Sequence, residues 1–423
     1  MQKKEYPTLG ETIYSYQHSS GLHIYLVQKP EFQKSCAYFV THFGSIDNCF
    51  IPLNEKEYQT VPDGVAHFLE HKMFEQPDGE NVFESFSKYG ASANAFTSSD
   101  ITAYYFWCTN SFEENLKILL HYVQTPYFTD ENVAKEQGII GQEIRMYDDD
   151  PNWRAYFNML GCLYHNHPVK VDIAGTIESI ANITKDTLYT CYHTFYHPSN
   201  MALCIVSNQD VKQVKKVIDE MLLCMDAVEP VARKYPKEPN TVYRSYQEAA
   251  LSVAKPLFYI GFKDNERLSG KQLLKHKLCC KIALDLLLGK SSNLYYELYD
   301  RGLISSSFSY TYTAGLEFAY TEIAGESENP KEVAERIKHA LQHFTFTKHD
   351  LERMKRMRTG RFLRVLDDVE EYTNLLARNV LQQIDLLDTV QLYQSIKDDD
   401  IADIFKKHLT PELMVLSVVN PLQ

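Results

Sequence analysis

Residues 226–250 most constrain what this chain can fold into. Pro230, Pro236 and Pro239 interrupt a charged stretch there that has no sustained apolar period. The same grammar of patterns lies on either side of it. Upstream, residues 22–28 and 35–43 read as strands, 64–74 and 81–88 as helices, and 91–97 and 102–108 as a strand pair. Helical periodicity then fills 112–123, 130–146, 153–164 and 185–196, followed by a buried strand at 201–206 and a helix at 211–224. Downstream, strands at 256–262, 305–311 and 316–323 alternate with helices at 271–288, 293–300 and 331–343. A helical stretch with breaks at 348–376, a helix at 399–408 and a strand at 413–419 complete the chain. Strand-rich starts followed by helix-rich stretches predict an α+β fold of two similar domains, each a mostly antiparallel sheet with helices packed on one face. The expected division is 1–225, a linker at 226–250, and 251–423, on the reading of two similar domains of about 210 residues.

Charge and composition remove several function classes. With 43 basic and 56 acidic residues the net charge is −13, which argues against a nucleic-acid surface spread over the protein. No run approaches about 18 apolar residues, and the start Met1-Gln2-Lys3-Lys4-Glu5 lacks the apolar core of a secretory signal, so neither membrane insertion nor export is expected. Nine scattered cysteines without a C-x-x-C pair suggest core thiols in a reducing compartment, and a cytoplasmic protein. The 29 Tyr and 22 Phe can fill large cores or line grooves that hold peptides.

The chemistry is concentrated in Gly64-Val65-Ala66-His67-Phe68-Leu69-Glu70-His71. On a helix, His67 and His71 share one face about 6 Å apart along the axis, close enough to bind one tetrahedral Zn²⁺. Glu70 borders that face, where a carboxylate can take a proton from a water acidified by zinc and return it to a leaving amine. Composition alone gives roughly 0.07 such motifs in a chain like this. A zinc hydrolase needs a third ligand, and the helix over 130–146 offers Glu136 and Glu143. Seven residues apart, they point the same way about 10 Å apart along the axis. One of them is therefore expected to ligate and the other to orient a ligand histidine.

These residues resemble the pitrilysin/insulinase/mitochondrial processing peptidase family, whose inverted zinc motif is His67-x-x-Glu70-His71. Also similar are Gly44-Ser45-Ile46-Asp47, Gly90-Ala91-Ser92-Ala93-Asn94-Ala95-Phe96-Thr97 and Phe195-Tyr196-His197-Pro198-Ser199-Asn200-Met201. The likeness spans nearly the whole chain and is greatest to short bacterial members that hold both halves in one chain. It implies a zinc metalloendopeptidase with one Zn²⁺ per chain, held by His67, His71 and Glu143, with Glu70 as general base and acid and Glu136 behind a ligand histidine. It implies two α+β domains packed as a clamshell, and two such chains enclosing a peptide chamber. It further implies that Ala93, Asn94, Ala95, Phe96 and Thr97 form an edge strand to which substrate adds as another strand.

One family feature does not match. Active enclosures usually carry an Arg and a Tyr seven residues apart in the domain facing the zinc. Anchoring on Gly302-Leu303 puts Leu298 and Ser305 at those places, a one-residue shift gives Tyr299 and Ser306, and counting from Arg301 reaches Phe308, which has no hydroxyl. The implied partner is a related chain carrying the intact Arg/Tyr pair. The competing arrangement is a homodimer in which Arg301 and a nearby tyrosine such as Tyr310 serve from a shifted register; Tyr299, Arg301 and Tyr310 are the candidate substrate contacts here. A non-catalytic assembly subunit and a zinc hydrolase of small molecules are the other readings. The pairs His193/His197 and His339/His343 have helical spacing but no Glu at the third step, and are read as structural, as are His165 and His167. Asp148-Asp149-Asp150-Pro151 is expected to end one helix and begin the next, and Asp398-Asp399-Asp400 to open a helix.

Overall fold

A computed structural model describes residues 1–77, 79 and 81–422. Strands β1 (Gln2–Tyr6), β2 (Glu11–Gln17), β3 (His23–Gln28) and β4 (Ser35–Thr41) precede a short pair, β5 (Cys49–Phe50) and β6 (Gln59–Thr60). Helices α1 (Val65–Lys72) and α2 (Val82–Lys88) lead to β7 (Ser92–Thr97) and β8 (Thr102–Cys108). Then come α3 (Phe112–Val123), α4 (Asp130–Asp148), α5 (Pro151–Leu163), α6 (Ile177–Ile180), α7 (Lys185–Phe195), β9 (Met201–Ser207) and α8 (Val211–Met221). The remainder holds β10 (Tyr246–Leu251), β11 (Leu257–Lys263), α9 (Gly270–Leu288), α10 (Asn293–Asp300), β12 (Ser309–Ala314) and β13 (Ala319–Glu326). It ends with α11 (Pro330–Gln342), α12 (Lys348–Val365), α13 (Val369–Val380), α14 (Thr389–Ser395), α15 (Asp398–Lys407) and β14 (Met414–Pro421).

Two units each build one main sheet, the β5–β6 pair standing apart in the first. The first has the order β1-β2-β3-β9-β4-β8-β7, and the second β10-β14-β11-β13-β12. Each is antiparallel except for one parallel pair, β3 with β9 and β10 with β14. The last five strands of the first sheet therefore correspond one for one to the second. This is the α+β repeat read from the sequence.

The first unit comprises residues 1–144, 172–235 and 363–381, and the second 145–171, 236–362 and 382–423. They differ from a cut at 226–250 because each unit holds one helix from the opposite half of the chain. Helix α13 packs on β4 and β9, while α5 packs on β10, β11 and β14. Each therefore covers the sheet face left bare by the helices that follow that sheet in sequence. Strand β4 is buried at all seven positions, as a strand covered on both faces must be. In the second sheet, Phe258, Ile260 and Phe262 of β11 enter the main core with α9 and α11. Leu257 and Tyr259 pack instead with Ala155 of α5 and Val419. Both helices have the same start, an aspartate before the first turn: Asp150 accepts from the Asn152 and Trp153 N–H groups, and Asp368 from those of Glu370 and Glu371.

The stretch expected to be a linker is structured at both ends. Arg233 Nε and the Tyr235 hydroxyl donate to the buried Asp47, at 3.0 and 2.6 Å, tying it to the Gly44–Asp47 loop of the first unit. In the second unit Glu238 accepts the backbone N–H groups of His165, Asn166 and His167, and Lys263 Nζ at 2.5 Å. Residues 246–251 form an edge strand. The prolines break helix periodicity, but they do not prevent extended chain from finding partners.

Candidate active site

Helix α1 starts at Gly64, whose φ is +88° and whose added Cβ would lie 2.4 Å from the Ala174 carbonyl oxygen. Only glycine fits there, and it sets the direction in which α1 enters the core. The helix is buried at seven of its eight positions, His71 being the half-buried one. His67 and His71 stack edge to face with ring centroids 4.5 Å apart. Their Nε2 atoms stand 3.7 and 3.6 Å from one oxygen, Oε2 of Glu143 on α4. All three donor atoms lie within 4.8 Å of one another.

The rest of α4 orients this group. Glu136 Oε1 lies 3.1 Å from Nδ1 of His71, so this edge of the ring carries the proton and Nε2 turns a lone pair toward Glu143. The His71 lone pair, His67 Nε2 and a carboxylate oxygen thus converge on one point, a donor set that could hold a cation. Tetrahedral Zn²⁺ with bonds of about 2.0–2.1 Å sets its ligand atoms roughly 3.4 Å apart, so the donor set fits that ion. His67 Nδ1 is buried with no hydrogen-bond partner among the described residues.

Sequence reasoning missed Lys72. Its side chain is wholly buried, with Nζ 3.4 Å from Glu136 Oε2 and 2.6 Å from Glu75 Oε2. Glu136 is thereby held between His71 and Lys72. The signal was present as a lysine directly after the motif, but the partner is 64 residues away.

Electrostatics follow from this packing. Burial, together with the neighbouring His71, pushes His67 down to about 4. Burial also opposes charge on His71, but the Glu136 hydrogen bond and the nearby Glu70 and Glu143 outweigh it and raise the group. Burial raises the Glu70 carboxyl, opposed in part by its bond from Thr97. Burial acts in the same direction on Glu136, but His71 and Lys72 win and hold it below the usual carboxylate range.

Strand β7 is the last strand of its sheet. Thr97 Oγ1 donates to Glu70 Oε2 at 2.6 Å, and the Thr97 N–H also reaches that carboxylate. The Ala95 N–H is bonded to Asn94 Oδ1 at 2.8 Å. Because strand residues alternate, Ala93, Ala95 and Thr97 turn their main-chain groups to the open edge, while Asn94 and Phe96 pair with β8. Thr97, at the end of residues 93–97, is thus placed beside Glu70.

The remaining candidates lie in the second unit. Tyr299 is exposed, and Arg301 caps α10 with only a 3.8 Å approach to Glu297. The Tyr310 hydroxyl donates to Asp285 Oδ1 at 2.9 Å, and Asp285 is also clamped by Arg358 through Nε and Nη2 at 2.5 and 2.8 Å. That phenol is already engaged. Leu298 is fully buried, and Ser305 bonds Ser307.

Three of the other candidate histidines have local hydrogen-bond partners. His197 Nδ1 accepts from the Ser199 N–H, His167 Nδ1 from that of Val169, and His343 Nδ1 donates to the His339 carbonyl. A second buried group, Asp264, Cys280 and His408, also has donor atoms within 4.8 Å of one another. Hydrogen bonds engage two of its three members. Asp264 accepts from His276 Nε2 at 2.7 Å, the Tyr312 hydroxyl at 2.9 Å and the Glu266 N–H at 2.9 Å. His408 Nδ1 donates to the Lys263 carbonyl at 3.2 Å, and its Nε2 accepts from Thr321 at 2.7 Å.

Comparison with known proteins agrees with the motif. Residues 53–177 match the family described as Insulinase (Peptidase family M16), and residues 182–358 match the Peptidase M16 inactive domain. The chain is 43% identical over 425 residues to the "Uncharacterized zinc protease YmfH" of Bacillus subtilis (strain 168), covering 99% of this chain and 98% of that one. A solved "M16-like peptidase" from Alicyclobacillus acidocaldarius superposes with a TM-score of 0.94 at 36% identity, over 99% of this chain and 100% of that one. A protease from Helicobacter pylori shares the fold at 19% identity, with a TM-score of 0.83 over 97% and 99% of the two chains. The chain described here belongs to the insulinase family of peptidases, M16.

Proposed function

We propose that the chain is a zinc metalloendopeptidase that hydrolyses unfolded peptide segments, with one Zn²⁺ per chain. The observation that carries this is the convergence of His67 Nε2, His71 Nε2 and Glu143 Oε2 beside Glu70, which Thr97 ties to an open sheet edge. A relative at 43% identity named a zinc protease supports the metal. His67, His71 and Glu143 would hold the ion. When bound, Zn²⁺ supplies Lewis acidity that acidifies a water and polarises a carbonyl.

The chain's own residues then do the rest. Glu70 takes a proton from the attacking water on a carboxylate oxygen and delivers it to the departing amine nitrogen. Thr97 fixes the Glu70 carboxylate, and Glu136, held by Lys72, fixes the His71 tautomer. The main-chain groups of Ala93 and Ala95 and the Thr97 carbonyl pair with an extended peptide, the Thr97 N–H being held by Glu70; Asn94 must release the Ala95 N–H for this pairing. Main-chain pairing reads little sequence, which suits unfolded segments.

The same reading makes this chain the zinc-bearing subunit of a two-chain assembly. In the second unit the Tyr310 hydroxyl is committed to Asp285, and Leu298 and Ser305 occupy the places where the family resemblance, anchored on Gly302-Leu303, implies an Arg and a Tyr. Donors to the reacting carbonyl then come from a related chain. A homodimer using the exposed Arg301 is the competing arrangement. Cleavage of an unfolded peptide by the chain alone, and after adding a relative with an intact Arg/Tyr pair, tests the two. Enhancement by the relative supports the heterodimer, and full activity alone that is lost in Arg301→Ala supports the homodimer. A cytoplasmic location is part of the proposal, supported by nine unpaired cysteines, seven of them buried. No helix among the described residues is long and apolar enough to cross a membrane.

A further inference from the structure

An aromatic row crosses the face of the first sheet turned away from α1. Tyr38 of β4 stacks on Tyr105 of β8 with centroids 4.4 Å apart, and Tyr105 neighbours Phe96 of β7 at 6.3 Å. At the open edge, the guanidinium of Arg378 lies over the Phe96 ring, 4.5 Å from its centroid. Arg378 belongs to α13, the helix that this unit takes from the far end of the chain, and its Nε donates to Asn374 Oδ1 at 3.0 Å.

This cation differs from its neighbour on the same face. Lys34, over the Trp107 ring at 4.3 Å, forms an ion pair with Glu370. No carboxylate oxygen of a described residue comes within 4 Å of the Arg378 guanidinium, and Asp100 acts on it only from farther off. Burial among Phe96, Tyr38 and the helix opposes its charge. A half-buried guanidinium stacked on an aromatic ring and lacking a close anion is poised to accept one, since its planar fork matches a carboxylate.

The geometry of the edge says which substrate atom arrives there. Side chains alternate along β7, with Thr97 on the α1 side, so Ala93 and Ala95 share that side, and Asn94 and Phe96 share the other, where Arg378 lies over Phe96. A peptide added to the edge must alternate in the same way. Its residue opposite Phe96 then has a Cβ roughly 4.5–5.5 Å from that of Phe96, within reach of the guanidinium. We infer that Arg378 is a specificity-determining residue that favours a glutamate in the bound peptide at the position facing Phe96. The inference rests on the peptidase reading of the edge strand given above.

The test uses the zinc-loaded full chain, with its partner if one is needed for turnover. The substrates are an unfolded peptide series in which a single Glu is moved residue by residue through a Gln-containing background. Cleavage sites are read by mass spectrometry. With Glu facing Phe96, kcat/KM should exceed the Gln parent about 10-fold, mostly through KM, the size of one charge-assisted contact. Moving the Glu by one residue puts it on the α1 side and should remove the gain. Arg378→Gln should abolish the gain while leaving the Gln parent within about twofold, and Arg378→Lys should keep part of it. Should Arg378→Gln not fold, the period-two dependence on Glu position in the unaltered protein decides. Cleavage of all peptides at equal rates would overturn the role of Arg378 alone. No cleavage of any peptide would overturn the peptidase reading, and this inference with it.

Discussion

Glu136 Oε1 stands 3.1 Å from Nδ1 of His71, on the edge of the ring opposite the nitrogen that faces Glu143. The two glutamates of α4 thus have different tasks although they share a helix face. Glu143→Gln is expected to abolish or severely weaken zinc binding, since a two-ligand site is far weaker than a three-ligand one. Glu136→Gln should weaken it about 10- to 100-fold. Zinc titration of both apo variants against a chelator checks the order, and the reverse ranking contradicts the assignment.

Lys72 places a cation in a fully buried position with Glu136 and Glu75 as its anions. Lys72→Met keeps the volume but leaves the buried Glu136 charge with His71 as its one remaining partner of the two. The expected loss is about 3–5 kcal/mol of stability, the usual effect of removing one partner of a buried pair. Denaturant unfolding of the two proteins measures it, and a loss under about 1 kcal/mol would show that Glu136 finds another partner.

Thr97 connects the proposed base to the proposed substrate strand through its 2.6 Å bond to Glu70. Thr97→Val should lower kcat about 10- to 100-fold, as loss of a hydrogen bond to a charged group does, with zinc content unchanged. Thr97→Ser should restore most of the rate. Equal rates in Thr97→Val and the unaltered protein would separate Thr97 from the chemistry.

Glu322 of β13 supplies a pH dependence away from the site. Burial lifts its carboxyl from 4.5 to about 7, near Tyr156, Tyr259 and Tyr320. A carboxyl raised in the folded state contributes full stability below pH 4.5, and that contribution falls as pH rises through about 7. Glu322→Gln cannot ionise. It should therefore be more stable than the unaltered protein at pH 8, the gap narrowing toward pH 4.5. Thermal midpoints across that range test the sign, and a gap that widens on acidification contradicts it.

The zinc motif was legible because the i, i+4 geometry of a helix needs no tertiary information. Glu143 was legible only as one of two equivalent carboxylates, because spacing along α4 places both on one face and resemblance had to choose between them. Lys72 was not legible, since its anions are fixed by how α4 packs on α1. The exchange of α5 and α13 was hidden for the same reason: amphipathic periodicity says that a helix has a buried face, not which sheet it covers. The strand at residues 246–251 was lost inside a proline-rich stretch that reads as a linker, although its parallel pairing with β14 repeats that of β3 with β9. Arg301 and Tyr310 show the limit from the other side. Spacing nominates them, but only packing reveals that the Tyr310 hydroxyl is held by Asp285.

The central claim is that His67, His71 and Glu143 hold a zinc ion at which Glu70 moves the proton for peptide hydrolysis. Cleavage of an unfolded peptide by the unaltered protein and by Glu70→Gln, each carrying a measured zinc content and with the partner chain if needed, tests it most directly. The account predicts about one zinc per chain in both proteins, turnover in the first, and a rate lower by about 10²-fold or more in the second. Undiminished turnover in Glu70→Gln, or none in the zinc-loaded unaltered protein with any partner supplied, would contradict it.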